Sequence, residues 1–288
     1  MNKQGKGFVT FAQNTETVDY LKLAYLQALN IKSIHQDASY SVIVDKKTKN
    51  TITGRNWIDI FDNIIDLPYD ENAEDSDWKL ANEYQIFQLT PYKETIKLES
   101  DLLFTRSMNH WWSALRLKDI VFSYHCKNYR SENREYSIYR KFFVDNQLPD
   151  LYNGMMYFRY SHLAAKFFET AQQVLHSWND LKTVLLNVRE DTPSTDVLYA
   201  VTAKIIGPEH CTLPSLDFFN FVHLKPAINC WGNTDESWQN SVNSEIDELI
   251  IRVNNLNQYY PVHYYDKEYC TDELIDHYER IYRRSKLA

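Results

Sequence analysis

Glycine is scarce in this chain: only 6 of its 288 residues are Gly, where roughly 7% is usual. That scarcity argues against a Walker loop, a GxGxxG dinucleotide turn, a collagen repeat and Gly/Ser linkers, and the sequence contains none of them. Cysteine is also sparse. Cys126, Cys211, Cys230 and Cys270 stand far apart with no CxxC pair, which excludes a zinc ribbon or a disulfide scaffold. No apolar run reaches the roughly 18 residues that a membrane helix needs, and the stretch Phe8 to Ala12 is too short for a signal peptide. We therefore expect a soluble cytoplasmic protein without a membrane partner. The net charge of −8 argues against a generally basic nucleic-acid coat, although a local basic groove acts through its own field.

Hydrophobic residues make up 44% of the chain and aromatics 15%, enough for a large core. Phe8 to Ala12 reads as a buried strand. Thr15 is placed to cap a helix whose apolar face is Val18, Leu21, Tyr25, Ala28 and Leu29. A second strand, Tyr40 to Val44, ends at Asp45, and this strand–helix–strand order suggests a parallel sheet with a crossover helix. Five acidic residues between Asp70 and Asp77 read as a solvated loop. Trp78 to Leu89 reads as helical, Thr95 to Leu98 and Met155 to Phe158 as strands, and Leu163 to Leu181 as one amphipathic helix. Thr192-Pro193 reads as the cap and first turn of another helix. From Asp235 onward the chain reads as helical pieces. The expected architecture is α/β, with a catalytic domain over 1–232 and a C-terminal helical extension over 233–288 packed on it.

Glu99-x-Asp101 directly follows an apolar strand and precedes apolar Leu102-Leu103-Phe104. Two carboxylates one residue apart can both reach a hard divalent cation such as Mg²⁺ or Mn²⁺, which would also hold a diphosphate. Acidic triplets are common on protein surfaces, but the apolar flanks argue against a solvated one, and a carboxylate in a cleft needs a partner. His223 follows an apolar run and precedes Lys225 by two. An imidazole completes a metal site and an ammonium neutralises a leaving phosphate, while a packed strand-end histidine is the plainer reading.

The order of these pieces resembles the GT-A class of nucleotide-sugar-dependent glycosyltransferases, especially its family-8-like branch. The matching pieces run from Phe8 to Leu29, through the strand ending in Asp45 and Lys79 on the helix before the acidic motif, to Ile96 to Asp101. They continue with Tyr152 to Phe158, Asp196 and Val222-His223-Leu224-Lys225-Pro226. Together they span roughly 8–230. More narrowly, Lys93 to Phe104 and Leu148 to Ser161 look like uncharacterised glycosyltransferases of T-even-like bacteriophages. The resemblance implies a mixed central sheet flanked by helices, and a metal-dependent transferase using a UDP-sugar. It implies metal ligands Glu99, Asp101 and His223, and Lys225 on the diphosphate. Ala12, Gln13, Asn14, Asp45 and Lys79 would face the nucleotide-sugar, and Asn153 and Gly154 the acceptor. Asp196 or Asp150 would serve as the acceptor's base if configuration inverts, although Asp196 also fits a plain first-turn helix carboxylate. Two departures are visible: the usual Asp-x-Asp is Glu-x-Asp, and the usual His-x-Gly-x-x-Lys-Pro-Trp is shortened to His-x-Lys-Pro.

Segment 127–141 carries five basic and two acidic residues interleaved with three tyrosines, and 277–288 carries four basic residues against Glu279. Such patches suit a polyanionic acceptor, with Arg130, Arg134 and Arg140 on phosphates and Tyr129, Tyr136 or Tyr139 stacked on an extruded base. A solvated loop and a basic helix end explain them as well. The phage resemblance implies double-stranded DNA bearing hydroxymethylcytosine as the acceptor, with glucose or arabinose as the sugar. The alternatives are a polysaccharide or protein acceptor, or a catalytically dead protein that binds a sugar nucleotide or nucleic acid.

Overall fold

β1 (Lys6–Ala12) lies at the heart of the fold and is buried from Gly7 to Ala12, with Phe8, Val9, Phe11 and Ala12 apolar because both faces are covered. A computed structural model describes residues 3, 5–53, 57–68, 79–134, 140–188, 190–213, 217–231, 240 and 242–287. The side chains of Lys79 and Arg134 lie outside that description, as do Tyr136, Tyr139 and the acidic run 70–77. After β1 come α1 (Tyr20–Ile34), β2 (Tyr40–Val44), α2 (Lys46–Asn50), β3 (Asn63–Asp66), α3 (Ile86–Leu89), β4 (Glu94–Leu98) and β5 (Leu102–Leu103). Next are α4 (Asn109–Leu115), β6 (Ile120–Tyr124), β7 (Cys126–Lys127), β8 (Asn133–Arg134), α5 (Lys141–Asp145) and β9 (Leu151–Arg159). The chain continues through α6 (His162–His176), α7 (Trp178–Val184), α8 (Thr195–Ile206), β10 (Val222–His223) and α9 (Pro226–Asn229). It ends with β11 (Ser244–Asp247), β12 (Ile250–Val253), β13 (Leu256–Asn257), β14 (Val262–His263) and α10 (Asp272–Leu287).

The main sheet has the order β3-β2-β1-β4-β9-β6. Its β3, β2, β1 and β4 are parallel, and β9 runs antiparallel between β4 and β6. Alternate strand residues feed two cores. Phe8, Val42, Ile96, Leu98 and Tyr157 pack on the side of α1 and α4. Val9, Ile43, Met156 and Phe158 pack on the side of α6 and α8. The mixed α/β sheet flanked by helices matches the expected fold class.

Local details differ from the sequence reading for identifiable reasons. α1 is capped by Asp19, whose carboxylate accepts the Lys22 N–H, while Thr15 closes a turn with the Val18 N–H. α8 is capped by Ser194 and begins at Thr195, beyond Thr192-Pro193. The amphipathic stretch after 160 breaks at Ser177 into α6 and α7. Residues 244–263 are strands where helical pieces were expected. β11, β12 and β13 form a meander, and β14 enters a second sheet of order β5-β14-β10-β7-β8. α10 packs on α1, tied by the Tyr25 hydroxyl to Glu279 at 2.8 Å and by Lys22 to Asp272 at 2.7 Å.

Gly154 on β9 lies directly against the ring of Phe221, the residue before β10. A Cβ there would meet the Phe221 ring at 2.8 and 2.9 Å, and Phe221 in turn packs its edge on His263, centroids 5.7 Å apart. The second sheet is thus seated on a residue with no side chain. Gly154→Ala is expected to lower stability by about 1–3 kcal/mol, the usual range for overpacking, read as a fall in the urea midpoint at unchanged slope.

Candidate functional site

β4 delivers Glu99-Ser100-Asp101 to a tight turn before β5. The turn is pinned from three sides. The Gln27 amide of α1 donates to Glu99 O at 2.7 Å and to Leu102 O at 2.9 Å. The Glu99 N–H donates to Gly154 O at 3.0 Å, and the Tyr264 N–H to Asp101 O at 3.1 Å. β5 pairs antiparallel with β14, so that His263 stands opposite Leu102, one residue from Asp101.

Pairing across that second sheet decides which histidine meets the carboxylates. His263 Nε2 lies 2.9 Å from Asp101 Oδ2 and 3.3 Å from Glu99 Oε2. One ligating atom from each of Glu99, Asp101 and His263 falls within 4.8 Å of the others. Among the described residues no other group of His, Cys, Asp and Glu gathers in this way. His223 occupies β10, one strand further from β5, and stacks on His263 with centroids 4.5 Å apart and planes 10° apart. The histidine brought to the acidic pair is therefore His263, and His223 backs it.

Lys267 contacts Asp101 Oδ2 directly, whereas Lys225 sits over the Tyr265 ring at 5.2 Å. The sequence held a signal for this: His263 and Lys267 are four residues apart, close to the five of the glycosyltransferase motif, and His223 and Lys225 only two. Burial works against charge on Asp101, yet the His263 ring and the Lys267 ammonium hold its carboxyl well below the usual carboxylate range. Burial pushes the Glu99 carboxyl up, against the pull of His263 and Lys97. Burial, with His263 and Lys225 nearby, drives the His223 imidazole well below its ordinary pKa.

Glu99, Asp101, His263, Tyr265 and Lys267 line a cavity of about 210 Å³ together with Phe11, Gln13, Tyr20, Leu80, Glu83 and Lys97, and neither His223 nor Lys225 is in its wall. Gln13 is 3% exposed, and neither its amide nitrogen nor its oxygen has a partner in the protein. Its neighbours are committed elsewhere. Asn14 accepts the Leu21 N–H and donates to Asp19, Asp45 caps α2 through the Thr48 N–H, and Ala12 is buried in the core.

The residues assigned to an acceptor base and a basic groove divide differently. Arg140 is 2% exposed. Its guanidinium donates to Asp196 Oδ2 at 2.6 Å and to Leu151 O at 2.7 Å, lies 3.3 Å from Asp150 Oδ1, and stacks over Tyr152 at 3.4 Å. The second oxygen of Asp196 accepts the Asn153 N–H at 2.7 Å, and the second oxygen of Asp150 bonds His125 at 2.7 Å. Tyr129 is 8% exposed, its ring packed against Trp231, with no face open to a base. Arg130 is exposed and lies over the Tyr129 ring at 5.1 Å. Arg140 and Tyr129 are thus interior residues, not parts of a nucleic-acid surface. No helix among the described residues is long and apolar enough to cross a membrane.

No protein-family model matches the chain, and no curated protein matches it in sequence. Solved structures do. The galactosyltransferase LgtC in complex with donor and acceptor sugar analogues superposes over 97% of this chain and 96% of its own, at 12% identity and a TM-score of 0.54. An active-site mutant of LgtC matches over 96% and 95%, at 12% identity and a TM-score of 0.52. The fold is that of the GT-A glycosyltransferases. Within the GT-A fold of this chain, the acidic turn sits at the end of β4, where the main sheet meets the second one.

Proposed function

We propose that this protein is a metal-dependent glycosyltransferase that moves a sugar from a UDP-sugar to an acceptor hydroxyl. The observation that carries the reading is the convergence of Glu99, Asp101 and His263 on one cavity of a GT-A fold. Two carboxylate oxygens and one imidazole nitrogen are a donor set suited to Mn²⁺ or Mg²⁺, so the residues present fit such an ion. Bound there, the ion would offset the negative charge of a diphosphate. Lys267, on the same side of Asp101, adds an ammonium for the departing phosphate. Gln13 offers an unpaired donor and acceptor side by side, which matches the N3–H and carbonyl of uracil.

In the transfer, the bond between the sugar C1 and the diphosphate oxygen breaks and its electron pair leaves with UDP. The acceptor oxygen forms the new bond to C1. Both oxygens of Asp196 accept hydrogen bonds, and Asp150 is held between His125 and the Arg140 guanidinium, so we assign the acceptor's proton to the departing diphosphate. As acceptor we propose a sugar hydroxyl, in line with the acceptor sugar analogue in the LgtC complex. A sugar already attached to hydroxymethylcytosine in DNA belongs to this class. The unmodified hydroxymethyl group on an extruded base would need a stacking partner other than Tyr129, whose ring is packed on Trp231.

The test is incubation with Mn²⁺, a panel of UDP-hexoses and UDP-pentoses, and three acceptors: oligosaccharide, hydroxymethylcytosine DNA and its glucosylated form, with products weighed by mass spectrometry. A chain that neither releases UDP nor forms any product is a binding protein instead. The third ligand has its own test. His263→Ala is expected to weaken Mn²⁺ binding in the presence of UDP by more than about 100-fold, and His223→Ala by about 10- to 100-fold, the scale of a group that acts behind a ligand. The reverse order in a Mn²⁺ titration would return the ligand role to His223.

A further inference from the structure

The metal and diphosphate reading leaves one charged pair of the cavity without a task. Lys97 Nζ and Glu83 Oε2 are 2.8 Å apart, with side chains 1% and 0% exposed, and both line the cavity alongside Glu99 and Asp101. Apolar residues of similar volume would hold the fold as well as a desolvated ion pair does. Stability is therefore a poor reason for these two residues, and their position in the cavity wall is a better one.

Their remaining valences can be counted. An ammonium has three donors. Lys97 spends one on Asn153 O at 3.0 Å and is ion-paired with Glu83 Oε2 at 2.8 Å. A carboxylate has about four acceptor sites. Glu83 Oε1 accepts from the Asn153 amide at 2.7 Å and the Tyr199 hydroxyl at 3.2 Å, while Oε2 faces the Lys97 ammonium but accepts no hydrogen bond. Donors on Lys97 and the acceptor sites of Glu83 Oε2 are left over, on adjacent groups, in a wall otherwise screened from water. Asn153 fixes the arrangement, since its N–H, C=O and amide nitrogen are bound to Asp196, Lys97 and Glu83. The antiparallel β4–β9 register that brings it there is the same one that places Gly154 O on the Glu99 N–H.

We propose that Glu83 and Lys97 form the donor-sugar subsite, Lys97 donating to one sugar hydroxyl and Glu83 accepting from the neighbouring one. This rests on the UDP-sugar reading above and names what that reading leaves open, the groups that recognise the sugar itself. The ligand class is a UDP-sugar with two adjacent free ring hydroxyls. In a dry site such hydroxyls are read strongly, because a substrate lacking one leaves a buried charged group unpaired.

The experiment is isothermal titration of the full chain, with Mn²⁺ present. UDP is compared with UDP-glucose, UDP-galactose, UDP-N-acetylglucosamine, UDP-xylose and UDP-arabinose. At least one sugar should improve affinity over UDP by about tenfold or more, the size of one charge-assisted hydrogen bond. The double variant Glu83→Gln/Lys97→Met removes both charges together and leaves neither unpaired. It should bind UDP within about threefold of wild type and lose the advantage of the sugar. A readout on the wild type needs no variant to fold: deoxyfluoro analogues of the preferred donor should lose about tenfold or more at one or two adjacent ring positions and little elsewhere. The proposal is overturned if no UDP-sugar binds better than UDP, if the double variant keeps the advantage, or if no ring position matters. If UDP itself fails to bind the wild type, the donor reading falls first and this one with it.

Discussion

Asp101→Asn is expected to cut UDP release from a UDP-sugar by about a thousandfold, the effect of losing several kcal/mol of metal-borne charge stabilisation. The substitution keeps the volume of the side chain, and the main-chain bond from the Tyr264 N–H to Asp101 O is untouched. What it removes is the charge that both His263 and Lys267 approach. Without it, a divalent ion has Glu99 as its only anionic ligand among the three grouped residues. Initial rates with Mn²⁺ in excess would measure the effect, with the thermal midpoint as the control for folding. Partial recovery at high Mn²⁺ is expected, because Glu99 and His263 remain. A variant that turns over at the wild-type rate would show that the acidic turn does not serve the reaction.

How much of this arrangement was legible in advance follows from the reach of each interaction. β1, β2 and β9 are buried on both faces, so each is mostly apolar, whereas β4 buries Thr95 and Lys97 beside Ile96 and Leu98. Glu99 and Asp101 stood out because an apolar strand feeds them, a local feature. The choice between His223 and His263 was not local. It depends on β14 lying between β5 and β10, and these are strands of two residues whose partners lie up to 160 residues away. No periodicity survives in two residues. The spacing of His263 and Lys267 was the available clue, and the Lys-Pro after His223 drew attention from it.

The meander was a different failure. Ile251 and Val253 alternate with polar neighbours, and Asn254-Asn255, both with positive φ, make the tight turn between β12 and β13. Paired asparagines between alternating residues are a hairpin signal, and here the dense charge of 244–252 masked it. The basic segment failed for a third reason. Counting charges along 127–141 treats them as exposed, but Lys127 pairs with Asp217 at 2.6 Å and Arg140 with Asp150 and Asp196. The anions that neutralise the segment lie 10 to 90 residues further along, where a window of local composition does not look.

Arg140→Met should accordingly be among the most destabilising single changes in the protein, by about 3–5 kcal/mol, because it strips a buried ion cluster of its cation. Asp196 and Asp150 would then face each other's charge with no counter-ion between them, and the Asn153 N–H would depend on a carboxylate no longer held in place. Methionine replaces part of the stacking on Tyr152 and Phe143 but none of the hydrogen bonds. Arg140→Lys restores the charge without the fork that reaches Leu151 O and Asp196 at once, so it should recover part of the loss only. Urea denaturation of the three proteins measures the series. Asp196→Asn separates the structural role of that carboxylate from the role of an acceptor's base. As the partner of Arg140 it should lose stability with whatever activity it loses, whereas as the acceptor's base it would lose activity alone. An Arg140→Met chain as stable as wild type would free Asp196 and Asp150 from the structural role, and return the acceptor's proton to one of them.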